Sequence, residues 1–231
     1  MNSTLLQILH SREDISDYLF HFTKGATAFD SLQQIITDSA IKDIKGNGYI
    51  CFTESPLVLL KGMFDLFDRY NEPMYAPYGI AIKKEILFAS GARHVIYGSS
   101  EERGVLPETL RWRFVEYSPN IKDFTWLREW RLNVPEFILN KDNCFLITRT
   151  KEESAIIGFD EECINDVEIE AEPADGGFEY YYSATIGRRF RCTSLEEINE
   201  FSQMSKHELE KIIQGQQFTD TTSMYLGSTW Q

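Results

Sequence analysis

Short aromatic and β-branched runs punctuate this chain: Tyr-Leu-Phe-His-Phe-Thr at 18–23, Tyr-Ile-Cys-Phe-Thr at 49–53, Tyr-Gly-Ile-Ala-Ile at 78–82 and Cys-Phe-Leu-Ile-Thr at 144–148. Runs of this length, bounded by turn or polar residues, read as buried strands. Helical patterns lie between them. Phe29, Leu32, Ile35 and Ile36 recur at helical spacing, with Gln33, Gln34 and Asp38 on the other face. Residues 57–67 read as an apolar helix behind Pro56, which a first helical turn tolerates, and residues 83–88 as a short helix. The mixture predicts an α+β fold: a sheet core with flanking helices.

The remaining segments are less uniform. Leu5, Leu6, Ile8 and Leu9 suggest a short leading helix, and Gly46-Asn47-Gly48 a turn. Residues 94–97 read as a strand, 98–110 as a polar loop or helix start, and 110–117 as either helix or strand. Residues 154–159 read as a strand or buried turn. Residues 160–177 carry eight Asp or Glu and read as a solvated surface stretch. Residues 178–182 and Phe190 suggest a strand pair around Gly187. Two capping boxes follow. Ser194 opens a helix burying Leu195, Ile198 and Phe201, and Ser205 one burying Leu209, Ile212 and Ile213. Residues 215–231 are polar with aromatic insertions, as in a frayed end or a docking segment. Residues 1–231 are expected to form one domain, with residues 194–231 as a possible helical extension; the acidic stretch near residue 170 is the best candidate for a boundary.

Net charge is −13, which disfavours general binding to phosphate backbones but leaves room for a local basic cleft. Cys51, Cys144, Cys163 and Cys192 are far apart and read as reduced core thiols of a cytoplasmic protein. No signal peptide is expected, because Arg12, Glu13 and Asp14 follow only a few apolar residues. Nothing approaches the ~20 apolar residues of a membrane span. The four histidines show no metal-ligand spacing.

Three segments could carry chemistry. A strand places His21 and Thr23 on one face, where a ring nitrogen and a hydroxyl could hold a ribose or an amide; the bland alternative is a satisfied structural histidine. Residues 51–56 run from a strand into a helix start, a common place for anions, or simply a helix capped by Thr53 or Ser55. In Arg128-Glu129-Trp130-Arg131 a carboxylate sits between cations and aromatics. It is either a salt-bridged edge or a catalytic carboxylate at the rim of a cleft.

In that order these segments resemble the DarT-type ADP-ribosyltransferases. Phe20-His21-Phe22-Thr23 and the following helix look like that family's opening His-Phe-Thr strand, and residues 49–57 like its aromatic strand closing on Ser-Pro-hydrophobic. Glu129 looks like its catalytic glutamate. Cys-Phe-Thr-Glu at 51–54 and Glu-Trp-Arg at 129–131 also resemble abortive-infection proteins of the AbiGi kind. The resemblance covers residues 18–60 and 124–140. It implies an ADP-ribosyltransferase-like split β-sheet core with NAD bound in the cleft. His21, Phe22, Thr23, Thr53, Ser55 and Tyr78 would bind NAD, and Glu129 with Arg128 would be catalytic. Tyr78, Phe52 and Trp130 would be candidates to stack on nicotinamide. It further implies a toxin of phage defence, held in check by an antitoxin protein, that transfers ADP-ribose to a nucleic-acid base of RNA or DNA, with a protein acceptor as the alternative. The chain departs from the pattern at Glu54, where the family carries an NAD-binding arginine. Arg128, Arg131 or Arg113 would have to replace it. A binding protein without turnover, or a nucleic-acid mimic built on residues 160–175, are the other classes these features allow.

Overall fold

The computed structural model describes residues 16–56, 59–157, 159–174, 177–188, 190–205, 207–208 and 211, and only the backbone over 159–188. In chain order the elements are β1 (Tyr18–Phe22), α1 (Ala28–Asp38), β2 (Ala40–Lys42), β3 (Ile50–Thr53), α2 (Leu60–Phe67), β4 (Gly79–Lys83), α3 (Lys84–Ala89), β5 (Arg93–His94), β6 (Ile96–Gly98) and α4 (Ser100–Val105). A 3-10 turn at Glu108–Arg113 leads to β7 (Phe114–Glu116), and another at Thr125–Leu127 to β8 (Glu129–Leu132). Then come β9 (Glu136–Ile138), β10 (Cys144–Thr148), α5 (Lys151–Ile156), β11 (Phe159–Ala174), β12 (Gly177–Arg188), β13 (Arg191–Ser194) and α6 (Leu195–Ser202).

Seven strands form one mixed sheet in the order β13-β10-β4-β1-β3-β8-β5, flanked by helices. All its pairings are antiparallel except β10 with β13. Alternation gives the sheet two apolar faces. Leu19, Ile80, Ile82, Leu146, Phe52 and Trp130 join one core with Leu32 and Ile36 of α1. Phe20, Phe22, Ala81, Phe145 and Ile147 join the other with Leu60 and Phe64 of α2 and Ile198 of α6. Full burial of one such side chain contributes about 1.5–3 kcal/mol, so both faces are needed to hold the central strands.

Among the described residues α1, α3 and α6 form where the sequence predicts them. Ser194 Oγ accepts from the Glu197 amide, and Leu195, Ile198 and Phe201 are buried. Several expectations are corrected. Residues 151–156 form α5, not a strand, because Thr150 and Glu153 close a reciprocal capping box. The acidic stretch, expected at the surface with no element assigned to it, lies in a strand. It is β11, paired antiparallel with β12, and Tyr180, Tyr181 and Tyr182 lie opposite Ala171, Glu170 and Ile169. No strand pair turns at Gly187. Instead β12 ends at Arg188, and β13 joins the main sheet beyond the buried Phe190. Residues 93–98 split in two: β5 pairs β8, while β6 pairs β7 in parallel. The expected leading helix and residues 215–231 lie outside the described residues, as do most of the Ser205 helix and Leu57. Among the described residues no helix is long and apolar enough to cross a membrane.

Candidate functional site

The central pairing of the sheet is also its loosest. β1 and β3 share one register pair, Phe20 with Thr53. Strands β1 and β4, by contrast, pair along five residues. Beside the open β1–β3 seam lies a cavity of about 560 Å³, lined by both strands, the end of α1, the 43–49 turn, Tyr75, Leu127 and Glu129. That size lies within the range of small-molecule sites.

The seam decides who reaches the cavity. Thr53 stands opposite Phe20 on one side and Glu129 on the other, so Glu129 belongs to the Phe20 face. His21 stands opposite Ile80, on the other face, with its ring 5.8 Å from Phe52. A closed ladder would keep the two groups on opposite sides. Here both line one cavity.

Glu129 is nearly buried and held. Arg131 Nε donates to its Oε1 at 2.8 Å. Arg131 is fixed in turn: Nη1 donates to the Trp112 and Phe114 carbonyls at 2.8 and 3.0 Å, and its guanidinium lies 4.2 Å over the Tyr49 ring. The carboxylate's field is felt around it. Burial, then the Glu129 charge, pushes the Cys51 thiol up to about 12. The same two causes push the Tyr75 and Tyr97 hydroxyls up. Burial pushes the Lys24 amine down, and its Nζ lies 4.9 Å from the Tyr75 ring centre. Burial pushes the His21 imidazole down, and Nδ1 lies 2.9 Å from the Cys51 carbonyl, which can only accept. A neutral imidazole therefore faces the same space as Glu129, and Asp38, Asp43, the Tyr75 ring and the Cys51 thiol line it too.

The other expected site residues separate into groups. Thr23 is buried just past β1, and its hydroxyl lies 2.8 and 2.9 Å from the Ala28 and Tyr78 carbonyls. Thr53 Oγ1 donates to the Leu127 carbonyl, and Ser55 Oγ donates to that of Trp126 at 3.1 Å. They clip the end of β3 to the turn before Glu129 and do not cap the helix after Pro56, as the sequence suggested. Phe22 lines the cavity but packs edge-on against Phe64 at 4.9 Å. Tyr78 is not among the cavity's lining residues, and its hydroxyl donates to Glu153 at 2.8 Å. Trp130 is buried core, its indole N–H donating to Glu54 at 2.8 Å. Arg128 adopts the left-handed conformation, φ 46° and ψ 53°, as the C-cap of the turn at Thr125–Leu127. It turns the chain into β8 and does not line the cavity.

Glu54 also points away from the cavity. It is buried with Lys84 Nζ at 2.7 Å, the Trp130 indole and His94 Nε2 at 3.8 Å. Arg113 donates to the His94 carbonyl, leaving Arg131 as the arginine beside Glu129. Lys24, Tyr49 and Tyr75 escaped the sequence reading. Lys24 had only its place after a strand to mark it, and Tyr75 only its place in a proline-bounded loop. Cys51 is not core, as expected, but open to the cavity, whereas Cys144 is buried. Among the described residues no group of three or more His, Cys, Asp or Glu could hold a metal ion. Comparisons with protein-family models, with curated proteins and with solved structures give no match.

Proposed function

We propose that this chain is an NAD-dependent mono-ADP-ribosyltransferase whose catalytic carboxylate is Glu129. The observation that carries the reading is the meeting of His21 and an arginine-held Glu129 in one cavity at the open β1–β3 seam. The seam also favours the split-sheet form of the fold. The residues present suit NAD: a neutral imidazole for ribose hydroxyls, apolar walls from Ile35, Ile41 and Phe52, and Lys24 and Lys45 for a pyrophosphate, while Lys42 is held by Asp38 at 2.8 Å.

NAD supplies a C1′–N bond whose cleavage releases neutral nicotinamide and leaves an oxocarbenium-like ribose. Glu129 would accept a hydrogen bond from the ribose 2′-hydroxyl and offset the positive charge as it develops. Arg131 keeps the carboxylate aimed. His21 would hold the ribose without adding charge of its own. The acceptor's nucleophile then forms the new bond to C1′ and loses its proton to Glu129 or to water. Part of the expected NAD set has other duties, since the Thr23, Thr53 and Ser55 hydroxyls are held by backbone carbonyls. That observation favours the second reading, a binding protein without turnover. A defence role and an antitoxin partner rest on the resemblance of the motifs alone, and the acceptor is a nucleic-acid base or a protein.

The test compares wild type with Glu129→Gln, incubated with labelled NAD and total cell lysate. Label entering nucleic acid or protein with wild type alone supports transfer. NAD binding without label supports the binding protein, and neither result with folded protein sinks both readings.

A further inference from the structure

Among the described residues, β11 and β12 pair with each other and with no strand of the main sheet. Their register is regular from Val167–Ala184 to Ala174–Gly177. Residues directly opposite one another share a face, and the face changes at every step along a strand. One face therefore carries Val167, Ile169, Ala171 and Pro173 of β11, opposite Ala184, Tyr182, Tyr180 and Phe178 of β12. The other carries Glu168, Glu170, Glu172 and Glu179, with Tyr181 and Ser183. The segregation is complete over this stretch: the four carboxylates fall on one face, and none of the eight residues on the other is charged. A lone two-stranded ribbon is marginal in water, so its apolar face calls for a cover.

The two rows of that face differ in size. β11 supplies small and medium residues, while β12 supplies Phe178, Tyr180 and Tyr182 at alternate positions. A half-turn about the ribbon's long axis exchanges the rows. A second copy laid on the face in this way sets Tyr180 of one copy over Ala171 of its partner, and Tyr182 over Ile169. Large residues then meet small ones along the whole contact, and the same patch serves both copies, as an isologous interface requires. The area is adequate: three aromatic residues alone bury about 450–750 Å² per copy, against about 800 Å² per partner in a standard interface. A net charge of −13 opposes self-association in general. Here the ribbon's carboxylates would lie on the two outer faces, away from the contact. A partner chosen by charge would find nothing to read on the apolar face. We propose that this face docks a second copy of the chain, the two ribbons packing face to face as a four-stranded sandwich. The pairing is independent of the transferase reading.

The test is sedimentation velocity of the full chain from about 1 to 100 µM, the range in which an interface of modest affinity fills. Wild type is expected to pass from monomer to dimer across it. Tyr180→Glu/Tyr182→Glu places charge on the apolar face and is expected to weaken the dimer at least about tenfold. Tyr181→Glu places the same charge on the opposite face and is expected to stay within about twofold of wild type. Ala171→Phe sets large against large and is expected to weaken the dimer about tenfold, whereas Ala171→Phe/Tyr180→Ala restores large over small and recovers it. Circular dichroism and urea midpoints check that each variant folds, and the Ala171/Tyr180 exchange decides should the double glutamate variant not fold. A wild type that stays monomeric throughout overturns the proposal; a fall in its urea midpoint on Tyr180→Glu/Tyr182→Glu would then assign the face to the chain's own body. A dimer indifferent to Tyr180→Glu/Tyr182→Glu, an equal loss with Tyr181→Glu, or no recovery in the exchange variant also overturns it.

Discussion

Glu54 and Glu129 flank one end of the same two-stranded ladder, yet their surroundings give them opposite tasks. Glu54 is enclosed by Lys84, His94 and the Trp130 indole, and holds the base of α3 against the sheet. Glu54→Ala would leave the part-exposed Lys84 ammonium without its ion-pair partner and the buried Trp130 indole N–H without its acceptor, at a cost of about 1–3 kcal/mol. Glu54→Arg, which would restore the family's motif, should fare no better, because it sets a cation against Lys84. Urea midpoints of both variants check this, and neither change is expected to create an NAD contact. His21 supplies a pH test. Its folded pKa is depressed below 6.5, so the unfolded chain takes up a proton that the folded chain resists. The stability involved is full above 6.5 and is lost as pH falls toward the folded value. His94 shifts the same way, through burial. Wild-type urea midpoints should therefore fall between about pH 7 and pH 5, and more steeply than those of His21→Asn/His94→Asn. Equal slopes would refute the assignment.

At the scale of elements, the close packing of β4 on β1 turns on Gly79. A Cβ there would meet the His21 carbonyl at 2.5 Å and the Phe22 ring at 2.6 Å, both fixed by the ladder. Gly79→Ala is expected to cost about 1–3 kcal/mol and to lower the thermal midpoint by several degrees. Strands β1, β3, β4 and β10 were legible because each is a concentrated apolar run. Strand β11 was not. Its charge hid a period-two pattern, with Val167, Ile169 and Ala171 alternating with Glu168, Glu170 and Glu172. Helix α5 was missed because Ile156 and Ile157 drew attention from the Thr150/Glu153 box. For the site, His21 and Glu129 could be named from their motifs. The seam that unites them could not, since register is a tertiary outcome of turns and packing. Tyr75 reaches the cavity from a loop, and no periodicity marks such a residue.

For the molecule as a whole, β11 and β12 form a ribbon paired only with itself among the described residues. Glu168 already stands opposite Ser183. Replacing residues 169–182 with Asn-Gly would close a shorter hairpin there in the preferred turn type. Such a protein is expected to unfold cooperatively, with stability within about 1 kcal/mol of wild type. A collapse of the transition would show that the ribbon is part of the core.

The single register pair between β1 and β3 leaves the ladder as two plates, β13-β10-β4-β1 and β3-β8-β5, which are joined otherwise by the His21 ring on the Cys51 carbonyl and by the core they share. Such plates can open as separate cooperative units. A molecule lodged in the seam would touch both, and its binding energy would appear as shared protection of their amides against hydrogen exchange. NAD is therefore expected to slow exchange in β1 and β3 together. Slowing on one plate alone would mean that the ligand sits beside the seam and not within it.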